Sequence, residues 1–221
     1  MRAWFTAAAT VALACLAQTA LAADAASPAS SGSVEAGATK AATCMACHGP
    51  AGVANINPEW PVIAGQSAHY VAEQVKAIRD GARPVPLMQP IVKDMSDQDI
   101  LDVAAYFARQ TPAGLEADPS YWKAGEQLYR GGDAARGLPA CIACHGPVGR
   151  GVPAAGFPAL RAQHAVYTQK QLNDYAADTR YVKDDKGQRR ATPNAVIMIT
   201  IASKLTAEDR RNLASYLQGM R

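Results

Sequence analysis

The chain has 221 residues, of which 49% are apolar and 19% charged, a composition typical of a globular protein with one medium or two small domains. The formal net charge is only +3, and no nucleic-acid partner is expected from so balanced a sequence. Aromatic residues make up only 6% of the chain, which is few for a core of this size. A bound apolar group would supply the apolar area that such a core lacks.

Residues 1–22 have the pattern of a cleavable secretory signal peptide. Arg2 gives the positive n-region, an apolar run follows, and Ala20-Leu21-Ala22 is an A-x-A cleavage site. Polar residues interrupt the run, which therefore falls short of the ~20 apolar residues of a membrane span; an uncleaved membrane anchor is the alternative. We expect a secreted chain that begins at Ala23, with a flexible lead-in over residues 23–34.

The motif Cys-x-x-Cys-His occurs twice, at residues 44–48 and 141–145. This is the attachment pattern of a c-type haem, in which two thiols bond the haem vinyl groups and the adjacent histidine reaches the iron from one side. Two copies predict two covalently bound haem c groups and make electron transfer the first hypothesis for the function. The predicted attachment and iron-binding residues are Cys44, Cys47 and His48 in the first motif, and Cys141, Cys144 and His145 in the second.

The two halves of the chain also match outside the motifs. Five identical residues recur at the motif offset of 97: Pro61 and Pro158, Gln66 and Gln163, Tyr70 and Tyr167, Gln74 and Gln171, Arg83 and Arg180. The offset then grows to 110, because the second half carries about thirteen extra residues, mostly within 181–193. This internal repeat predicts two domains with the same order: short helix, motif, loop, middle helix, second loop and closing helix.

Helix signals support this order. The middle helices are expected at about 68–80 and 165–177. Ser96 and Thr206 are each followed three residues later by Asp, which resembles the capping box that begins a helix. No segment demands a strand, so the expected fold is all-α.

Proline and glycine residues separate the halves near residues 110–120 and interrupt any helix there. We therefore predict an N-terminal domain over residues 35–112, a linker over 113–120 and a C-terminal domain over 121–221.

The second axial ligand of each iron is predicted from the repeat. Met88 and Met198 lie eight residues before Ser96 and Thr206, respectively, and are the only methionine pair that the repeat relates. A thioether opposite the histidine closes the coordination sphere and raises the reduction potential. The prolines around Met88 forbid a regular helix and stiffen the loop that would hold it. The alternative is that both methionines belong to the core.

Other candidate ligands fit the repeat less well. His69 and His164 do not correspond to each other, so we interpret them as surface or hydrogen-bonding residues. Met95 directly precedes a helix cap and is expected to be a hydrophobic staple or a core residue, and Met220 is expected at a frayed chain end.

Charge is divided unevenly between the halves. Residues 23–115 carry six Lys and Arg against nine Asp and Glu, whereas residues 116–221 carry fifteen against ten. Such polarity can orient an encounter with a partner, and ordinary surface solvation is an equally good interpretation. The charged segment 183–190 likewise indicates either contact with an acidic partner or a solvated loop.

Two tandem class I units, each with Cys-x-x-Cys-His, then Pro-x-(Ile/Leu)-x-x-Gln, then Met eight residues before a capped helix, resemble the cytochrome c4 family. The resemblance covers residues 35–221. It implies a periplasmic dihaem electron carrier with His/Met ligation at both irons and with the haems facing each other across the domain interface.

The resemblance also implies roles for individual residues. The carbonyl groups of Pro61 and Pro158 would accept hydrogen bonds from the ligand histidines and fix their ring orientation. Gly37 and Gly125 would allow the first helix of each unit to cross the closing helix closely, against Tyr106 and Tyr216.

The leading hypothesis is an electron shuttle between a quinol-oxidising complex and a terminal haem–copper oxidase, partners that the resemblance implies. The chain would serve equally as the electron-accepting subunit of a periplasmic dehydrogenase, and peripheral association with the membrane is left open. A dihaem peroxidase would need an open or displaceable ligand with acid–base groups beside it. The sequence offers a methionine for each iron instead, so no enzymatic activity is expected.

Overall fold

The structure, a computed structural model, describes residues 32–53 and 57–221. In this part of the chain the backbone forms α-helices, short 3₁₀ turns and isolated β-bridges, without a sheet, as the all-α prediction requires. None of these helices combines the length and apolar character needed to cross a bilayer. The predicted signal peptide and most of the predicted lead-in lie outside the described residues.

The described residues of the first half form four helices: α1 (Val34–His48), α2 (Ala68–Arg79), α3 (Gln89–Val92) and α4 (Asp97–Ala108). The Ser33 hydroxyl accepts a hydrogen bond from Ala36 N (3.2 Å) and starts α1. Ser96 and Asp99 form the predicted capping box at the start of α4, so two backbone N–H groups that a helix start leaves open are satisfied.

The second half contains five helices: α5 (Trp122–Gly131), α6 (Ile142–His145), α7 (Ala165–Ala176), α8 (Pro193–Ala202) and α9 (Ala207–Gly219). The predicted middle helices are α2 and α7, whose ends agree with the sequence to within one residue. Thr206 and Asp209 form the capping box of α9. The closing helices therefore begin where the sequence placed them.

Two differences from the expected order have local causes. The first motif ends one continuous helix, α1, whereas the second lies on the separate four-residue α6. Gly132, with φ of 65°, ends α5. Pro139, which cannot continue a helix, lies shortly before α6. The predicted second loop of this half contains a regular helix, α8, because Pro193 occupies its first turn and the Thr192 hydroxyl caps Ala195 N.

Each half is closed by a crossing of its first and last long helices. A Cβ atom added to Gly37 would lie 2.0 Å from the carbonyl oxygen of Asp102, and one added to Gly125 would lie 2.1 Å from that of Asn212. Only glycine permits these approaches between α1 and α4 and between α5 and α9. The two crossings are at the glycines that the resemblance indicated.

Apolar side chains fill the space between the helices of each half. In the second half, Tyr129, Leu213 and Leu217 belong to one cluster that also includes Met220. The prediction that Met220 lies at a frayed end was therefore wrong. Its side chain folds back onto the core because the chain bends after α9, and it is 7% exposed.

The two halves meet through residues that the repeat makes identical. Gln66 donates from Nε2 to the carbonyl of Ala159 and accepts from Ala159 N, both at 2.9 Å. Gln163 forms the same pair of bonds with Val62, at 2.8 and 2.9 Å. Because Val62 and Ala159 are themselves related by the repeat, the contact has approximate two-fold symmetry.

A buried polar cluster continues this symmetric interface. Arg83 Nη2 donates to the Tyr167 hydroxyl (3.2 Å), and Arg180 Nη2 donates to the Tyr70 hydroxyl (3.1 Å). Gln74 Oε1 accepts from both guanidinium groups, at 3.0 and 3.1 Å. Hydrogen bonds thereby join α2 to Arg180 of the second half and α7 to Arg83 of the first.

Candidate functional site

The second half encloses a large apolar cavity. About 1010 Å³ of space not filled by protein atoms lies within it and at its mouth, open solvent included. Cys141, Cys144 and His145 of the motif line it, together with Met198 from α8. The four residues that the sequence assigned to one haem therefore border one space.

The histidine of each motif is buried and oriented by one hydrogen bond. His48 Nδ1 lies 2.9 Å from the carbonyl oxygen of Pro61, and His145 Nδ1 lies 2.9 Å from that of Pro158. A carbonyl only accepts, so Nδ1 carries the proton and Nε2 keeps its lone pair. Burial lowers the pKa of both imidazoles, which favours the neutral form that binds a metal.

None of the four motif cysteines is in a disulfide, and each is partly buried. Burial raises the pKa of Cys141 to about 11 and also raises that of Cys44, so neither sulfur is a thiolate at neutral pH. Within residues 32–53 and 57–221, no group of three or more His, Cys, Asp or Glu side chains is arranged to hold a metal ion directly. A raised thiol pKa disfavours a redox-active thiol pair, which needs a thiolate.

Met198 is positioned by the helix that the sequence did not predict. The side chain of Asn194 donates to the carbonyl of Ala155 (2.8 Å) and ties α8 to the loop that follows the motif. Met198 packs against the buried cluster of Tyr175, Tyr181 and Ala202.

Met88 lies directly before α3, at the end of a turn that follows Pro84. The carbonyl of Val85 accepts from the backbone N–H groups of Met88 and Gln89, at 2.9 and 3.0 Å. Gln89 Nε2 also donates to the carbonyl of Arg79 (3.0 Å), which fixes the turn to the end of α2. The Met88 side chain is partly buried, whereas its neighbour Leu87 is exposed.

The other candidate ligands lie elsewhere. The His69 side chain is exposed, with Nε2 3.9 Å from a carboxylate oxygen of Glu73. His164 occupies the N-cap of α7, where the first half has Ser67. Met95 packs against two apolar clusters of the first half, as expected of a staple or core residue.

A buried cation beside the cavity has unused hydrogen-bonding capacity. Arg180 is 4% exposed and lies over the Tyr175 ring, with Cζ 4.8 Å from the ring centroid. Its Nε and Nη1 atoms have no hydrogen-bond partner among the described residues. Tyr70, Tyr175 and Tyr181, which all interact with Arg180, line the cavity. An acidic group on a bound molecule would satisfy the free donors, and haem carries two carboxylates, so the residues present fit this cofactor.

Sequence reasoning did not assign a role to the residues between the halves. Gln66, Tyr70, Gln74 and Arg83 were visible as repeat matches, and their identity at the offset of 97 was the signal. A repeat shows that a position is used twice but does not show what it contacts.

Comparison with protein families gives a match for each half. Residues 122–221 match the family model of cytochrome c, and residues 35–107 match that of subunit III of the cbb3-type cytochrome c oxidase.

Similar proteins extend over most of the chain. The cytochrome c4 of Pseudomonas aeruginosa is 43% identical over 189 residues, which cover 86% of this chain and 89% of the relative. A thiosulfate dehydrogenase electron acceptor of Thiomonas intermedia is 35% identical over 181 residues, covering 80% and 78%. The crystal structure of reduced recombinant cytochrome c4 from Pseudomonas stutzeri matches with a TM-score of 0.78 at 40% identity, covering 86% of this chain and all of that one.

Proposed function

Because the chain belongs to the cytochrome c4 family, we propose that it carries electrons in the periplasm between a donor and an acceptor protein. It is a dihaem electron-transfer protein with two covalently bound haem c groups, and it is not an enzyme. The observation that supports its mechanism best is the cavity that Cys141, Cys144, His145 and Met198 line together.

The proposed ligands form two matched sets. Thioether bonds would hold the macrocycles, and each iron would have one imidazole and one methionine sulfur. The sets are Cys44, Cys47, His48 and Met88 in the first half, and Cys141, Cys144, His145 and Met198 in the second. Met198 is supported by its place on the wall that His145 also lines. Met88 is supported by its repeat relation to Met198 and by the turn that fixes it near α2.

Haem iron supplies one-electron chemistry by changing between Fe(III) and Fe(II). The protein keeps the surroundings of the iron constant during this change. The Pro61 and Pro158 carbonyls hold each imidazole in one tautomer and one orientation. A methionine sulfur at the sixth position would exclude water and oxygen. The apolar cavity wall disfavours the extra charge of the ferric state, which raises the reduction potential.

The resemblance to cytochrome c4 supports a quinol-oxidising complex as donor and a haem–copper oxidase as acceptor. The relative named thiosulfate dehydrogenase electron acceptor favours a second candidate, in which the chain accepts electrons from a periplasmic dehydrogenase. Affinity purification of the mature protein from its native host separates the two. Recovery of a dehydrogenase in fixed proportion would reject the free shuttle, and recovery of the carrier alone would reject the bound subunit.

We place the domain boundaries at residues 35–112 and 121–221, with a linker at 113–120 and a cleaved signal peptide at 1–22. The packing of the intervening segment agrees with this division. Pro112 lies against Gly65 of the first half, and Asp118 N donates to the Ser215 hydroxyl of the second (2.9 Å).

The cofactor and carrier proposals are tested together on the purified protein. Pyridine haemochrome should give two haem c per chain. The ferric spectrum should be low-spin with the weak near-infrared band of methionine bound to iron. A large high-spin fraction with rapid peroxide turnover would contradict the closed-site carrier and favour the peroxidase alternative.

A further inference from the structure

The cavity of the second half is completed by the first half. Tyr70 and Glu73, both on α2, line it beside Asn194 and Met198 of the second half. Among the described residues that form its wall, Glu73 is the only Asp, Glu, Lys or Arg. The one fully charged group on this wall therefore belongs to the other domain.

Glu73 is held at this position and is partly removed from water. Its side chain is 22% exposed, and its Oε1 accepts from Gln74 Nε2 at 2.8 Å. Gln74 also donates to the Tyr181 hydroxyl (3.0 Å) and accepts from Arg180 (3.1 Å), so α2 is anchored to the second half one residue away. A carboxylate fixed in this way acts on the cavity through protein as well as solvent, where its charge is incompletely screened.

We propose that Glu73 of the first domain lowers the reduction potential of the haem in the second domain. This inference rests on the proposed function. One-electron reduction takes Fe(III) to Fe(II), with the electron supplied by the reduced donor protein, and removes one positive charge from the site. A fixed negative charge nearby stabilises the ferric form more than the ferrous form, so it opposes reduction.

Arg83, Arg180 and His69 are the basic residues near Glu73, and the tyrosines and motif residues of the cavity wall are the other titratable groups on this side. Arg83 and Arg180 are buried cations that favour the ferrous form. Both donate to Gln74, and Arg180 Nε and Nη1 have no hydrogen-bond partner among the described residues. His69 Nε2 is 3.9 Å from the Glu73 carboxylate, and the His69 side chain is 46% exposed, so its influence is screened by solvent.

The repeat makes the two halves electrostatically different at this position. The residue equivalent to Glu73 is Lys170 on α7, which has the opposite charge and pairs with Asp174 at 2.6 Å. The backbone contacts of Gln66 and Gln163 across the interface are, in contrast, symmetric. Glu73 therefore contributes to a difference in potential between two haems whose ligand sets are the same.

The test is a redox titration of the holoprotein followed by proton NMR of the haem methyl groups, which resolves the two haems. Glu73→Gln keeps the shape and the acceptor for Gln74 while removing the charge, and Glu73→Lys reverses it. Asp80→Asn is the matched control, because Asp80 ends the same helix, is 49% exposed and does not line the cavity.

Glu73→Gln should shift the reduction equilibrium constant of the second-domain haem toward Fe(II), on the order of three- to tenfold. Glu73→Lys should shift it further in the same direction, and the first-domain haem should move less in both. An unchanged potential of the second-domain haem would overturn the proposal. So would equal shifts at the two haems, or a shift no larger than that of the control Asp80→Asn. A lower melting temperature with unchanged potentials would show a structural role only and would overturn it as well.

The same samples distinguish this inference from the proposed function. Wild-type protein with two low-spin haems and reversible one-electron steps keeps the carrier proposal intact whatever Glu73 does. Wild-type protein that lacked either property would contradict the carrier proposal itself.

Discussion

One hydrogen bond to a main-chain carbonyl sets which ring nitrogen of each motif histidine is free to bind a metal. The carbonyl groups of Pro61 and Pro158 fix the protonated nitrogen of His48 and His145, both at 2.9 Å. Each carbonyl is supplied by a proline thirteen residues after its histidine, so the loop between them sets the ring orientation. The imidazoles are thereby oriented by the backbone alone and need no charged partner.

Replacing either methionine ligand should change the spectrum of one haem only. Met198→His and Met88→His should each remove half of the near-infrared methionine band and lower the potential of that haem, since imidazole favours Fe(III) more than a thioether does. Met95→Leu, in the apolar core of the first half, is the control and should leave the band intact. An unchanged band in Met198→His or Met88→His would contradict the ligand assignment.

Gly125, at the crossing of α5 with α9, has a matched control in its own helix. Gly125→Ala should destabilise the protein by about 1–3 kcal/mol, because the new methyl group would lie 2.1 Å from the Asn212 carbonyl oxygen. Gly131→Ala, in the same helix, meets nothing within 4 Å and should be neutral or slightly stabilising. Chemical denaturation of the holoprotein measures both, and equal stabilities would show that the crossing tolerates a side chain.

At the scale of helices, the sequence was informative where a pattern was local. The ends of α2 and α7 and the capping boxes of α4 and α9 follow from apolar period and cap residues, which act within a few positions. The helix α8 was not predicted, because its run of Val, Ile and Thr has no polar face and resembles a strand or buried loop. Its start is marked only by the Thr192 cap and by Pro193 in the first turn.

The extra segment of the second half forms a small hairpin tied to Asp178. Lys183 and Arg189 pair across it, and both side chains contact the Asp178 carboxylate. These cations lower the pKa of Asp178 to about 2. The base of the hairpin is also held to the first half, since Val182 N donates to the Ala82 carbonyl (2.9 Å). The hairpin is thus held by this bond and by its ion pairs with Asp178, and residues 183–190 are exposed.

Acid should loosen this hairpin. The folded pKa of Asp178 is below the unfolded value of about 3.9, so its stabilisation is complete above about pH 4 and is lost as the pH falls toward 2. The protection factors of the Val182 and Arg190 amides, which correct for the pH dependence of intrinsic exchange, should therefore fall over that range. Asp178→Asn should show the faster exchange already at pH 7, and Asp185→Asn, at the exposed tip, should not. Protection that persists in Asp178→Asn would contradict the role of the ion pairs.

At the scale of the whole molecule, the interface was the part that the sequence could not supply. The repeat marked Gln66 and Gln163 as related but gave no indication that each binds the backbone of the other half. Such contacts join residues 93 to 101 positions apart, and no local pattern encodes them. The same is true of the second haem cavity, whose wall takes Tyr70 and Glu73 from the first half.

Removing both glutamines should uncouple the domains. In Gln66→Ala with Gln163→Ala, the backbone groups of Val62 and Ala159 lose their partners, at a cost of at least about 1 kcal/mol for each glutamine. Calorimetry should then resolve two thermal transitions or one broadened transition at lower temperature. Gln127→Ala, on an exposed position of α5, is the control. A sharp transition at the wild-type temperature would mean that other contacts hold the halves together.

The reciprocal pairing of Gln66 with Ala159 and of Gln163 with Val62 is the arrangement found where two identical subunits meet on a two-fold axis. Each half consequently has a self-complementary patch. A single-domain ancestor with this patch could associate with its own copy before duplication and fusion joined the pair. Substitutions that arose after fusion were then free to make the two sites unequal, which an assembly of identical subunits does not permit. Glu73, at the position where the other half has Lys170, is such a difference.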